Sequence, residues 1–360
     1  MARLESDAMS FFWEKLVRPA MFAVDAERAH EFGMEALEAG FAAPFYGDVP
    51  SNEIERFGLK FANPIGIAAG FDKNGRAVNQ LASLGFGFVE VGTVTLRPQK
   101  GNDKPRMFRL PADSALINRL GFNNEGAEAV VNRLLPLRRK CVVGVNIGKN
   151  KDVPNEAAVQ NYLATLEIVH PVADYIAVNV SSPNTANLRE LQQEDQLREL
   201  LRALQERNKE LGRKPLLVKI APDLTEAEIE SIVGLCLDIE ISGLIATNTT
   251  ISRDGLNTLK PEDFGSGGLS GKPLASRSNA VISTIFRSSN GRLPIVGVGG
   301  VFSAEDAFAK VAAGACLVQA YTGFVYRGPT FPRDINTGLA EILRTRGFST
   351  LGDAIGSGVK

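Results

Sequence analysis

Eight short apolar runs recur along this 360-residue chain, and each ends in a polar or glycine-rich tail. Residues 64–69 precede Gly70-Phe71-Asp72-Lys73, 87–91 precede Gly92-Thr93, 142–145 precede Asn146, and 175–178 precede Asn179-Val180-Ser181-Ser182-Pro183-Asn184. Residues 216–218 lead to Lys219, 243–246 to Thr247-Asn248-Thr249, 294–298 to Gly299-Gly300, and 317–320 to Tyr321-Thr322. A short run rich in Val and Ile, bounded by turn residues, reads as a buried parallel strand. Amphipathic stretches between most pairs are long enough for crossover helices. Eight such units predict an α/β fold, a (β/α)8 TIM barrel, whose active site gathers at the C-terminal strand ends. The polar tails fall at those ends.

A barrel of this length is ordinarily one domain. The first fifty residues differ from the rest and read as an N-terminal two-helix extension, giving units 1–50 and 51–360. Residues 10–18 hold Phe11, Phe12, Trp13, Leu16 and Val17, a bulky apolar helix closed by Pro19. In 27–39, Ala29/His30, Gly33/Met34 and Leu37 recur on one face at helical spacing. Residues 44–50 read as a linker. Two inserts depart from the simple βα unit. Residues 96–124 contain 106–110 and 115–118, which could pair as a hairpin over the barrel mouth, and 251–271 is rich in Gly, Asp and Ser.

Composition excludes several function classes. A formal net charge of −1 gives no general attraction to nucleic acid. No apolar run reaches the ~18 residues of a membrane-spanning helix, and the N-terminus lacks a secretory signal pattern. Cys141, Cys236 and Cys316 have neither CxxC nor metal-ligand spacing and read as packing thiols in a reducing compartment. With only His30 and His170 present, a histidine-based metal site is not expected.

Three constellations carry chemistry. Gly267-Gly268-Leu269-Ser270-Gly271, Gly297-Val298-Gly299-Gly300 and Tyr321-Thr322-Gly323 converge on one barrel edge, where glycine lets backbone N–H groups approach a phosphate. Taken singly, each suits a tight turn equally well. Thr93, Asn146, Asn179, Lys219 and Thr247 end different strands and would point into one bowl. A planar heteroaromatic ring would satisfy these buried polar groups together. Lys219 could stabilise negative charge on such a ring, or form a salt bridge with a neighbouring carboxylate. Pro183 stiffens the loop that carries Ser182, and no histidine lies near to make that serine an acyl-transfer nucleophile. It could instead relay a proton from an activated C–H.

In order and spacing, ten segments resemble the class 2, quinone-dependent dihydroorotate dehydrogenases. They are 69–73, 92–95, 97–99, 105–109, 117–123, 146–150, 179–184, 219–223, 247–250 and 267–271. The resemblance implies a non-covalent FMN held by Ala69, Gly70, Lys73, Thr93, Asn146, Asn179, Lys219, Thr247, Gly271, Gly300, Tyr321 and Thr322. It implies dihydroorotate on Lys73, Asn118, Arg119, Gly121, Phe122, Asn179, Asn184, Asn248 and Thr249, with Ser182 as catalytic base. His30 and Arg109 match positions lining a quinone tunnel. The implied activity is oxidation of dihydroorotate to orotate in de novo pyrimidine synthesis, with a membrane quinone as final oxidant. Peripheral association with the cytoplasmic side of the cell membrane follows, without an obligate protein partner.

Residues 1–50 hold nine acidic and four basic side chains, which opposes attraction to anionic headgroups. Membrane contact would then come from apolar insertion by Phe11, Phe12, Trp13, Leu16 and Val17. Two other FMN barrels compete with this reading. A hydroxy-acid oxidase would want an active-site histidine, yet His170 precedes strand four at the wrong barrel end. A dihydrouridine synthase would want a basic RNA-binding surface and a reactive cysteine. A non-catalytic phosphate-binding barrel is the alternative from another class.

Overall fold

The computed structural model describes residues 11–50, 52–185 and 187–359. A short antiparallel ribbon, β1 (Ile54–Arg56) and β2 (Leu59–Phe61), precedes the barrel. The barrel strands are β3 (Ile65–Ile67), β4 (Phe88–Val94), β7 (Val142–Ile147), β8 (Tyr175–Asn179), β9 (Leu216–Ile220), β10 (Gly243–Ala246), β12 (Ile295–Val298) and β13 (Leu317–Ala320). They close in chain order, all parallel, as the eight apolar runs predict. Every residue of β4, β8 and β9 is buried, because barrel strands face side chains inward and helices outward. The interior is filled by pairing large with small. A Cβ on Gly66 would strike the Phe88 ring, and one on Gly144 the Tyr175 ring.

Between β4 and β7 the first insert forms β5 (Met107–Leu110) and β6 (Ala115–Asn118), the expected hairpin. The second insert adds a third strand, β11 (Gly268–Gly271), on the other edge of β6. Thus Gly268 to Gly271, expected as a phosphate-binding loop, is a strand of the sheet over the barrel mouth. Leu269 pairs with Ile117 and joins Leu110 and Ala115 in a small core, which explains why an apolar residue sits among the glycines. Gly271, with φ +105°, lies so close to Ser114 and Ala115 that a Cβ would collide with their backbone.

The N-terminal helices lie against this sheet and the adjoining barrel helices. Residues 13–17 form a π-helical turn that runs directly into the Arg18–Ala23 helix. Pro19 therefore does not close the helix. It sits just after the π turn, within a helical run that continues on both sides of it. Asp25 caps the next helix, Ala26–Glu38, accepting from the N–H groups of Glu27 at 3.1 Å and Arg28 at 3.0 Å. Met34 and Leu37 of that helix enter the main core. Burial of such side chains stabilises by about 1.5–3 kcal/mol each. The buried Glu27 pairs with Arg106, Oε2 accepting from Nε at 3.0 Å and Oε1 from Nη2 at 2.6 Å. Trp13 turns inward rather than outward, its Nε1 donating to the Tyr326 carbonyl at 3.2 Å. Ser10 lies outside the described residues.

Candidate active site

Polar residues inside the barrel floor form one connected network. The Glu90 carboxylate, wholly buried on β4, accepts from Asn146 Nδ2 at 2.8 Å, Tyr175 Oη at 3.0 Å and Gln319 Nε2 at 2.7 Å. Lys219 Nζ stands 4.0 Å from Glu90 Oε1. Burial pushes the Lys219 ammonium below its usual range, and Glu90 opposes that shift. The salt bridge weighed for Lys219 is therefore present, and the same side chain also faces the cavity above. Thr93 Oγ1 donates to Asn146 Oδ1 at 2.6 Å and accepts from Asn179 Nδ2 at 2.9 Å, which ties three strand ends together.

Above this floor, at the C-terminal strand ends, one cavity gathers almost all the expected residues. Every expected flavin contact except Asn146 lines it, as does every expected substrate contact except Arg119, together with Ser182. Asn146 sits one layer lower and supports Thr93. Arg119 turns away, donating from Nη1 to the carbonyls of Phe264 and Ser266 at 2.6 Å, with its guanidinium 4.6 Å from the Phe108 ring centre. It props the second insert against the mouth sheet.

The loop after β8 is held from outside by Arg189. Its guanidinium reaches the Ser181 carbonyl at 3.1 Å, Asp223 Oδ2 at 2.8 Å and the Thr249 carbonyl at 3.0 Å. Ser182, 5 % exposed, accepts the Asn184 N–H at 3.2 Å. Asn184 Nδ2 donates to Asn118 Oδ1 at 3.1 Å, linking this loop to β6. Lys73 lines the same cavity. Burial lowers its ammonium below the ordinary range, and Glu31 and Glu27 work against the shift. The cavity wall thus carries two lysines and, among the described residues, no carboxylate. At the far end Gly271, Gly299, Gly300 and Gly323 form the lining, beside Thr322, whose hydroxyl donates to Ser270 Oγ at 2.8 Å.

A second cavity of about 430 Å³ lies under the N-terminal helices. Trp13, Val17, Phe22, Phe32, Phe41 and Phe324 make it strongly apolar, and His30 and Arg109 are among its few polar side chains. The His30 ring stands edge-on to Phe71 at 5.0 Å. Enclosure holds its pKa well below the ordinary histidine value, and Lys73 adds to that. Arg109 donates to the carbonyls of Phe22 at 3.3 Å and Val24 at 2.6 Å. Met107, Leu116 and Tyr321 belong to both cavities and are the wall between them. His170 lies at the opposite barrel end, bonded to Asn208 at 3.3 Å.

Sequence reasoning missed Glu90, Tyr175, Gln319 and Arg189. A signal existed for two of them. Glu90 and Gln319 interrupt apolar strands, and a charge or amide in a fully buried strand requires internal partners.

Comparison with known proteins agrees with this architecture. The dihydroorotate dehydrogenase family model matches residues 52–343. The chain is 50 % identical over 339 residues to a dihydroorotate dehydrogenase (quinone) of Christiangramia forsetii, covering 91 % of this chain and 99 % of that protein. It is also 50 % identical over 350 residues to one of Gloeobacter violaceus, covering 95 % and 98 %. The crystal structure of DHODH from Eimeria tenella in complex with ferulenol superposes with a TM-score of 0.87 at 41 % identity, over 92 % of this chain and 95 % of that one. On family match, identity and fold alike, the chain belongs to the dihydroorotate dehydrogenase family.

Proposed function

We propose that this chain oxidises dihydroorotate to orotate in pyrimidine biosynthesis, with a non-covalent FMN as hydride acceptor and a membrane quinone as final oxidant. The observation that carries the reading is the single cavity uniting Lys73, Asn118, Ser182, Asn184, Lys219, Asn248 and Thr249 with a glycine-lined end.

FMN suits the donor set. Gln319 Oε1 and Tyr321 Oη are buried in that cavity without a protein partner, as acceptor and hydroxyl groups awaiting a polar ring would be. Lys73 and Lys219 face a cavity whose own lining, among the described residues, holds no carboxylate, although Glu90 pairs with Lys219 from below, and this favours an anionic ligand. Ala69, Gly70, Thr93, Asn179, Lys219 and Thr247 would hold the ring system, and Gly271, Gly300, Tyr321 and Thr322 the phosphate end. Bound there, FMN supplies a two-electron acceptor. Asn118, Asn184, Asn248 and Thr249 orient the dihydroorotate ring, with Gly121 and Phe122 behind it, and Lys73 neutralises its carboxylate. Ser182 Oγ takes the proton from C5 while hydride leaves C6, so the ring loses one proton and one hydride and becomes orotate. Lys219, held by Glu90, offsets negative charge arising beside it.

The apolar cavity would receive the quinone, with His30 and Arg109 as polar contacts for its head. Phe11, Phe12, Leu16, Phe32 and Phe41 are exposed around the N-terminal helices. They favour peripheral insertion at the cytoplasmic face of the cell membrane, and the acidic balance of the segment makes that contact apolar rather than electrostatic. None of the helices among the described residues is long and apolar enough to cross a membrane.

Anaerobic addition of dihydroorotate should bleach the flavin absorbance, and quinone should restore it faster than fumarate or NAD. Acid should release free FMN. Recovery of FAD or of a covalent flavin, or faster reoxidation by NAD, refutes the assignment.

A further inference from the structure

Lys310 is 1 % exposed, and the chemistry proposed above assigns it no task. It lies on the Ala304–Ala312 helix that follows β12, outside the cavity lining. A buried ammonium is costly unless hydrogen bonds and charge offset its desolvation. Here Nζ donates to Ser278 Oγ at 2.9 Å and to Asn279 Oδ1 at 3.0 Å, both on the Ala275–Ser288 helix. Ser278 Oγ in turn donates to the carbonyl of Val298 at 2.6 Å. One turn earlier on the helix of Lys310, Asp306 accepts the N–H groups of Phe302 at 2.9 Å and Ser303 at 3.0 Å.

One helix therefore anchors both ends of the segment 298–303, Asp306 directly and Lys310 through Ser278. Between those ends lie Gly299, Gly300 and Val301, which line the glycine-rich end of the cavity. Gly300 has φ +76°, and a Cβ there would collide with Ala275, so the segment has little room to shift. The lysine stem runs beneath the last strand residues, since its Cδ lies 3.2 Å from where a Gly297 Cβ would be. The Asp306 charge offsets only part of the cost of burying the ammonium. Burial accordingly pushes Lys310 down to about 7.

We propose that Lys310 is a positioning residue for an anion: through Ser278 it fixes the Val298 carbonyl, and in its protonated form it sets a positive charge behind Gly299-Gly300, so that this end of the cavity selects a flavin bearing a phosphate over the same flavin lacking one. The inference rests on the reading of the cavity as a flavin site. Preorganised backbone and a fixed charge in a low-dielectric surround act on the ligand without reorganisation when it binds. A lysine that merely packs two helices together would favour neither flavin.

The test measures dissociation constants of FMN and riboflavin for the full-length protein by flavin fluorescence below pH 7, where Lys310 carries its proton. Wild type should prefer FMN. Lys310→Met, of similar length but uncharged, should weaken FMN by about 10-fold or more, the scale of one charge-assisted interaction, and leave riboflavin unchanged. Ser278→Ala keeps the charge and breaks the relay, so it should weaken FMN selectively by a smaller factor. That variant also decides the question if Lys310→Met does not fold. Equal weakening of both flavins, or an FMN preference that both variants retain, overturns the role of Lys310. If wild type itself binds riboflavin as tightly as FMN, the phosphate reading of the glycine-lined end falls, and this inference with it.

Discussion

Ser182 has the burial and loop support of a catalytic group but no histidine beside it to raise its basicity. A positioned base typically contributes ~10²–10⁴-fold to rate. Ser182→Ala should therefore slow anaerobic flavin reduction by about that factor while orotate affinity changes little, and the wild-type rate should climb with pH. Reduction at an undiminished rate would move the base to another residue. His30 offers a separate measurement. Its folded pKa lies well below the ordinary 6.5, so below pH 6.5 the unfolded chain binds a proton that the folded one refuses. Stability should fall as pH drops through that region, and His30→Gln should lose less over the same interval in urea unfolding. Identical pH slopes for the two proteins would contradict this. Most residues that line the cavity were legible, several because they close an apolar run. The direction of the Arg119 side chain was not, because it depends on the second insert, which sequence spacing does not locate.

The Ala26–Glu38 helix is tied to the start of the mouth sheet by the Glu27–Arg106 pair and to the barrel core by Met34 and Leu37. Burial raises the Glu27 carboxyl, but the hydrogen bond and charge of Arg106, with Lys104 and Lys73, outweigh it and leave the pKa lowered. Arg106 also donates to the carbonyls of Lys100 and Asn102, so it keeps partners if Glu27 is lost. Glu27→Gln should then cost about 1.5–3 kcal/mol, the range for charged hydrogen bonds, read as a lower urea midpoint. An unchanged midpoint would mean the pair adds nothing to the docking. At this scale the barrel strands were legible from local pattern alone, since each is a self-contained apolar run. β11 was not. Its strand character comes from Leu269 packing on a partner about 150 residues away, and glycine content by itself points to a loop.

Across the whole molecule, the barrel supplies one cavity and the N-terminal helices complete the other. Removing residues 1–45 should leave a folded protein that keeps FMN and is reduced by dihydroorotate. It should lose saturable oxidation by long-chain quinones and no longer require detergent for release from membranes. It should also unfold more readily, because Phe71, Phe324 and Tyr321 lose their cover. Quinone turnover that survives the deletion would place the oxidant elsewhere. The wall of Met107, Leu116 and Tyr321 has a consequence for descent with change. On the proposed function, substitutions at Phe32, Phe41 or Val17 would refit the apolar side to a different quinone tail while touching no residue that lines the other cavity. A lineage moving between quinones could thus retune one chamber while selection holds the other fixed, with variation concentrated on the helical side of that wall.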